Sequence, residues 1–340
     1  MDLSALTAAL APLNLRSCLI SRHGRLIYEH YREPATAAEL ARINSCTKSV
    51  LSALVCIAMD RGLLPDAATP ASAFFPRLAA DPDPRKRSIT LEHLLTMTAG
   101  FEWTEFGGLN SFPRMTKTPD WLAFVLELPL ADDPGTRMEY NSGNSQLLAA
   151  ALARAAGMPV AQFAEERLFG PLGIEAYEWE QDPRGVHTGG FGMKLRPLDM
   201  LKFGELYLRE GEWAGEPIVP RALAARSVQP YIESEEPRRG WYGWHWWSDS
   251  YAAGASAGPG AAEALTMDAA DGAAGQEAPA LAYFYAQGYG GQFIYVVPSL
   301  DVVVVLTADK WRTDRPPGNV FRKFVAPLLA AELKQAPPSR

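Results

Sequence analysis

In the run Ile43-Asn44-Ser45-Cys46-Thr47-Lys48-Ser49-Val50-Leu51 a serine and a lysine stand three residues apart where an apolar segment begins. Residues three apart share one face of a helix, about 5–6 Å apart at Cβ. A serine hydroxyl is a weak nucleophile until a base stands beside it. A lysine walled in by apolar groups can be that base, because desolvation disfavours its ammonium form. The chemistry on offer is acyl transfer through an ester on Ser45. The same residues also fit an ordinary helix start with Asn44 or Ser45 as its cap.

Acyl transfer needs a second acid–base group and a backbone that can lie against a carbonyl. Arg137-Met138-Glu139-Tyr140-Asn141-Ser142-Gly143-Asn144-Ser145 precedes an Ala/Leu-rich helix expected from Gln146, and the Tyr140 phenol could reach a serine or a lysine. A buried tyrosine bonded near a helix start fits these residues too. Gly288-Tyr289-Gly290-Gly291-Gln292 lies between the β-prone stretches Ala282–Tyr285 and Phe293–Val297. Glycines at such a strand end allow close approach of a ligand.

These groups must be held by a larger frame. Ser17–Ser21 and Arg25–Tyr31 read as two strands joined at His23-Gly24, a hairpin signal. A helix is expected from about Thr47 to Arg61, stopped by Gly62. Thr69–Arg87 reads as loop, and helices are expected at Leu91–Met97, Trp121–Leu128, Gln146–Ala156, Val160–Leu168 and Leu198–Glu210. Trp241–Trp247 reads as an aromatic strand. Phe284–Tyr285, Phe293–Val297 and Val302–Thr307 complete an antiparallel sheet, and Phe321–Leu333 is a closing helix. Strands near both chain ends with helices between them predict an α+β fold, an α/β sandwich. Its sandwich part would be residues 1–65 and 190–340, with a mostly helical part, 66–189, inserted. Ala252–Pro279 is Ala/Gly-rich, acidic and without periodicity, and reads as an insertion loop near the site mouth, a lid or a solvated surface loop.

Composition excludes more than it selects. The chain has 340 residues, 48% of them hydrophobic, enough for a large core. Its formal net charge of −7 gives no basic footprint for nucleic acid or an anionic membrane. Cys18, Cys46 and Cys56 are scattered, with neither metal-ligand spacing nor a disulfide framework, so no metal or cofactor is expected. Met1-Asp2-Leu3-Ser4 lacks a basic n-region, and no stretch approaches the roughly 18 apolar residues of a membrane span. A cytoplasmic protein acting on a small molecule is the expectation.

Taken together, the motifs resemble those of the class C β-lactamase-related serine hydrolases. The likeness runs from about Leu19 to Leu329. It is carried by Ser45-Cys46-Thr47-Lys48, Ile89–Gly100, Tyr140-Asn141-Ser142-Gly143, Gly190–Leu195 and Gly288–Gln292. The resemblance implies a β-lactamase/transpeptidase-like fold with the nucleophile between the two parts. It implies that Ser45 is acylated, that Lys48 takes its proton, and that Tyr140 serves the leaving group and then the hydrolytic water. Backbone N–H groups of Ser45 and Tyr289 would hold the oxyanion. Ser142 falls where many relatives carry an amide side chain, so either Ser142 bonds Lys48 or substrate, or Asn144 supplies the amide; Asn144 fits a helix cap equally.

The third motif departs further. Penicillin-binding relatives carry a lysine, and many esterase relatives a histidine, at the position matched by Ala286. Without that cation a substrate carboxylate loses a charge-assisted hydrogen bond. An uncharged ester or amide therefore suits the site better than a β-lactam or a D-alanyl-D-alanine peptide. A non-catalytic, penicillin-binding-like sensor is the alternative from another class.

Other residues read as less central. His187-Thr188-Gly189-Gly190 has the look of a histidine-bearing third motif but precedes a helix opened by Pro197. His93 and His245 sit in apolar surroundings, and Cys46 points about 100° away from its neighbour on a helix. Trp103, Trp241 and Trp244 fit an acyl pocket or plain packing. The string Gly254-Ala255-Ser256-Ala257-Gly258 fits G-x-S-x-G only within the Ala/Gly-rich stretch, without the strand and helix patterns that flank a nucleophile elbow, so a Ser-His-Asp arrangement lacks its usual nucleophile turn.

Overall fold

The computed structural model of the chain describes residues 3–234, 240–252, 280–309 and 320–333. The insertion expected at 252–279 thus falls, from residue 253 on, outside the described residues. The frame is an eight-stranded antiparallel sheet. Its strands, labelled in chain order, are β1 (Ser17–Arg22), β2 (Arg25–Tyr31), β3 (Ile232–Ser234), β4 (Gly240–Tyr242), β5 (Trp247–Tyr251), β6 (Leu281–Gly288), β7 (Gln292–Val297) and β8 (Val302–Thr307). Their spatial order is β2-β1-β8-β7-β6-β5-β4-β3. The last strand therefore closes on the first, Ser17 opposite Thr307. The β1–β2 hairpin turns at His23 and Gly24, φ 51° and 69°, the positive angles that match the strand twist.

β8 reads Val-Val-Val-Val-Leu-Thr with no polar alternation because both of its faces are covered. Alternate side chains leave a strand on opposite sides. Val302, Val304 and Leu306 meet Leu6 and Leu10 of the N-terminal helix Ser4–Leu10, with Phe321, Val325 and Leu329 from the C-terminal segment. Val303 and Val305, with Ile294 and Phe284, face the other layer, made by helices Cys46–Asp60 and Pro197–Leu208. This is the α+β sandwich expected, helix on sheet on helix. Leu95, Leu147 and Phe163 of the 66–189 stretch share one apolar cluster with Leu54 and Val303, so that stretch packs onto helix Cys46–Asp60 rather than around a core of its own.

Several boundaries move, each for a local reason. The helix expected at Gln146 begins at Ser142, because the Asn141 side chain accepts from Gly143 and Asn144 N–H and so caps it early. Trp241–Trp247 is not one strand: β4 and β5 are joined by a turn in which Gly243 N–H bonds Trp246 C=O (2.8 Å) and His245 takes φ 59°. The helices expected at Val160–Leu168 and Phe321–Leu333 are split, with π-type turns at Glu165–Phe169 and Phe321–Val325. Thr69–Arg87 carries a short helix, Pro76–Ala80, and 3-10 turns. Among the described residues no single helix is long and apolar enough to cross a membrane.

Candidate active site

The turn that carries Ser45 is set by Asn44. Its φ of 49° lies in the left-handed region, which asparagine tolerates better than most residues. The strand-like Ala41–Arg42 leads in, paired to Met193–Leu195, and Ile43 N–H bonds Met193 C=O at 3.0 Å. Helix Cys46–Asp60 then starts with Ser45 at its N-cap position, yet the Ser45 side chain makes no cap bond. Its hydroxyl instead takes a hydrogen bond from Lys48 Nζ at 3.2 Å.

Lys48 is 1% exposed, so its amine answers only to protein groups. Besides Ser45 it donates to Ser142 Oγ (3.0 Å) and to the Gly190 carbonyl (2.9 Å), and it lies 4.7 Å from the centre of the Tyr140 ring. Gly190 is needed there for want of room: a Cβ on it would stand 3.0 Å from Lys48 Nζ and 3.2 Å from Ser142 Oγ. The site holds the amine where it can exchange a proton with Ser45.

The second motif lies beside this pair. The Tyr140 ring face covers Lys48 and is wedged between Trp247 (6.0 Å between ring centres, 24° between planes) and the edge of Tyr242 (6.2 Å, 81°). Ser142 Oγ accepts a hydrogen bond from the lysine. Asn144 is turned away: its amide nitrogen points at Met97 Sδ (4.0 Å) and its Oδ1 is buried without a hydrogen-bond partner among the described residues. Neither is Asn144 the helix cap, since Asn141 fills that role.

Behind Ser142 stands a residue that sequence reasoning passed over. Glu105 accepts the Ser142 hydroxyl proton on Oε1 in a short hydrogen bond, and Ser142 N–H on Oε2 at 3.0 Å. Trp103 is not a pocket wall by its ring alone; its Nε1–H holds the same Oε2 at 2.8 Å. The chain of contact runs Trp103, Glu105, Ser142, Lys48, Ser45.

The glycine-rich turn closes the far side. Gly288, Tyr289, Gly290 and Gly291 link β6 to β7, with Gly290 and Gly291 at φ 84° and 98°. Asn44 Nδ2 donates to the Tyr289 carbonyl at 2.6 Å, which fastens this turn to the one that carries Ser45. A Cβ at Gly288 would come within 2.1 Å of the Ile43 carbonyl, so only glycine lets the two backbones lie so close. The Tyr289 ring, 48% exposed, meets that of Phe106, 62% exposed, at 5.7 Å. Gln292 is drawn off elsewhere: its amide donates to Ala308 C=O (2.6 Å) and accepts from Ala308 N–H (3.4 Å), pinning β7 to the end of β8. Ala286 is fully buried opposite Ile294.

The remaining candidates lie apart from this chemistry. His187 contacts Gln181 and the Trp179 ring. His93 closes a capping box with Thr90. His245 is fixed between Leu95 C=O (Nδ1, 2.8 Å) and Ser145 Oγ (Nε2, 3.0 Å), and burial pushes its pKa down to about 3, so the ring stays neutral. Trp244 donates to Glu92 at 3.1 Å. Cys46 contacts the Gln292 carbonyl, and burial pushes its thiol pKa up, which leaves it unreactive. Among the described residues no group of three or more His, Cys, Asp or Glu is placed to hold a metal ion.

A model of the family described as Beta-lactamase matches residues 17–326. The D-alanyl-D-alanine-carboxypeptidase/endopeptidase AmpH of Escherichia coli K12 is 28% identical over 190 residues, 50% of this chain and 49% of that protein. The chain thus spans about half the length of that curated relative. Two solved structures share the fold at low identity. EstCE1, a hydrolase with promiscuous acyltransferase activity, superposes with a TM-score of 0.71 at 17% identity, covering 98% of this chain and 97% of its own. The class C β-lactamase from Rhodobacter sphaeroides gives 0.66 at 17% identity, covering 96% and 98%.

Proposed function

Since the chain belongs to the Beta-lactamase family, we propose that it is a serine hydrolase that cleaves uncharged carboxylic esters or amides through an acyl-enzyme on Ser45. The observation that carries this reading is the 3.2 Å contact between Ser45 Oγ and the buried amine of Lys48. As Ser45 Oγ bonds to the substrate carbonyl carbon, its proton passes to Lys48 Nζ. The carbonyl oxygen, now carrying the charge, is held by backbone N–H groups of Ser45 and Tyr289; removing one such donor typically costs about 10²–10³ in rate. Tyr140, fixed between Trp247 and Tyr242, hands a proton to the leaving group and later draws one from the attacking water.

Two features speak for the substrate class. Ala286 offers no cation for a carboxylate, and the exposed rings of Phe106 and Tyr289 meet beside the nucleophile turn, a rim suited to apolar chains. A second reading is action on D-alanyl-D-alanine peptides or β-lactams; for the peptides it is favoured by the 28% identity to a protein described as a D-alanyl-D-alanine-carboxypeptidase/endopeptidase. The two separate on p-nitrophenyl butyrate against nitrocefin. Ester turnover with little nitrocefin hydrolysis supports the ester/amide reading, whereas rapid nitrocefin turnover shows that a cation at residue 286 is dispensable.

A further inference from the structure

The two neighbours that Lys48 shares with no substrate can only accept from it. The Gly190 carbonyl, 2.9 Å away, carries no proton. The Ser142 hydroxyl carries one, and that proton goes to Glu105. An ionised carboxylate is acceptor-only, and this one already takes Ser142 N–H and Trp103 Nε1–H. Ser142 therefore shows Lys48 a lone pair and nothing else. A neutral amine has two hydrogens and one lone pair. In the neutral form that a base requires, with its hydrogens committed to Gly190 C=O and Ser142 Oγ, Lys48 has its lone pair left for Ser45.

We propose that Glu105 is a positioning residue which, by holding the Ser142 hydroxyl proton, aims the lone pair of Lys48 at Ser45. The proposal rests on the Ser45–Lys48 reading above and assigns it a residue the motifs do not include. Were Ser142 able to rotate, its proton could turn to Nζ and divert the lone pair from the nucleophile. The bookkeeping holds after transfer as well. The proton leaves Ser45 Oγ as the new O–C bond forms, and the resulting ammonium finds an acceptor for each of its three hydrogens in Ser45 Oγ, Ser142 Oγ and Gly190 C=O.

Glu105→Gln, Ser142→Ala and the double variant test this, with p-nitrophenyl butyrate kinetics, fluorophosphonate labelling and thermal melts on each. The Gln amide can donate to Ser142 Oγ and so reverse the hydroxyl. Because a positioned base contributes about 10²–10⁴-fold, Glu105→Gln should lower kcat about 10- to 100-fold, leave KM within about threefold, and leave the melting temperature in place. Glu105→Asp, which keeps the charge, should recover part of the loss. In the Ser142→Ala background there is no hydroxyl to orient, so adding Glu105→Gln should cost less than about twofold. Three results would overturn the proposal: an unchanged rate in Glu105→Gln, an equal loss with and without Ser142, or a loss that follows a fall in melting temperature. A wild-type protein that neither turns over ester nor labels at Ser45 is a different failure, which removes the hydrolase reading and this proposal with it.

Discussion

Replacing Gly190 by alanine should shift the amine of Lys48, the proposed base, without altering its chemistry. Gly190 is not among the residues of positive φ, so alanine meets no backbone strain and even trims the entropy of the unfolded chain, by about 0.4–1 kcal/mol. The new methyl would sit 3.0 Å from Lys48 Nζ and 3.2 Å from both Cβ and Oγ of Ser142. The end of a lysine side chain is what yields, by a few tenths of an ångström. It starts 3.2 Å from Ser45 Oγ, with little to spare. If a misplacement of about 1 Å costs about 10²-fold in rate, a shift of a third of that costs about 3- to 10-fold. The expected result is a kcat for p-nitrophenyl butyrate lowered by that factor, slower fluorophosphonate labelling and an unchanged melting temperature. Gly189→Ala is the contrast, since its Cβ would stand 1.9 Å from the Ser145 carbonyl in a helix, and overpacking of that kind costs about 1–3 kcal/mol or more. That variant should melt several degrees lower. A Gly190→Ala enzyme with unchanged kcat, or one destabilised as much as Gly189→Ala, would refute the reasoning.

Other consequences follow from single contacts. His245 has its pKa lowered from 6.5 to about 3 by burial, with the Lys48 charge adding to it. The unfolded chain thus binds a proton there that the folded chain refuses, so stability falls as pH drops from about 6.5 towards 3, by on the order of 1 kcal/mol per pH unit. Urea melts should show that slope in the wild type and less of it in His245→Asn, which tolerates the left-handed backbone; equal slopes would assign the acid sensitivity elsewhere. Gln292→Leu should lose about 1–3 kcal/mol of stability, because Ala308 C=O and N–H are left buried and unpaired. Its KM for the ester should move less than about twofold, and a large KM rise would return Gln292 to the binding site. Phe106→Ala should blunt the preference for butyrate over acetate, each buried methylene being worth about 0.8 kcal/mol. An unaltered chain-length profile would place the acyl group away from the Phe106–Tyr289 rim.

How much of this was legible in the sequence depends on how local each contact is. Ser45 and Lys48 are one helical turn apart, and their spacing alone brings them together. The Gly288–Gly291 turn is announced by β-prone flanks on both sides, and the buried run of β8 by its unbroken apolar residues. Glu105 is different. It lies in a loop without periodicity and reaches Ser142 across 37 residues, and the only local hint is Trp103 two positions earlier, whose indole holds it. Gly190 acts through a carbonyl, which carries no side-chain signature. Gln292 resembles a site residue in the sequence, but its partner is Ala308, a neighbour that only strand pairing brings near. The strand expected through Trp241–Trp247 breaks because His245 adopts φ 59°, a choice made by Leu95 and Ser145 rather than by local propensity.

The account turns on Ser45. The most direct test is intact-mass analysis, with peptide mapping, of the wild type and Ser45→Ala after exposure to a fluorophosphonate probe, alongside ester hydrolysis by both. One adduct per chain is expected on the peptide that holds Ser45, and neither adduct nor turnover in the variant. An adduct mapped to another residue, or hydrolysis that survives in Ser45→Ala, would contradict it.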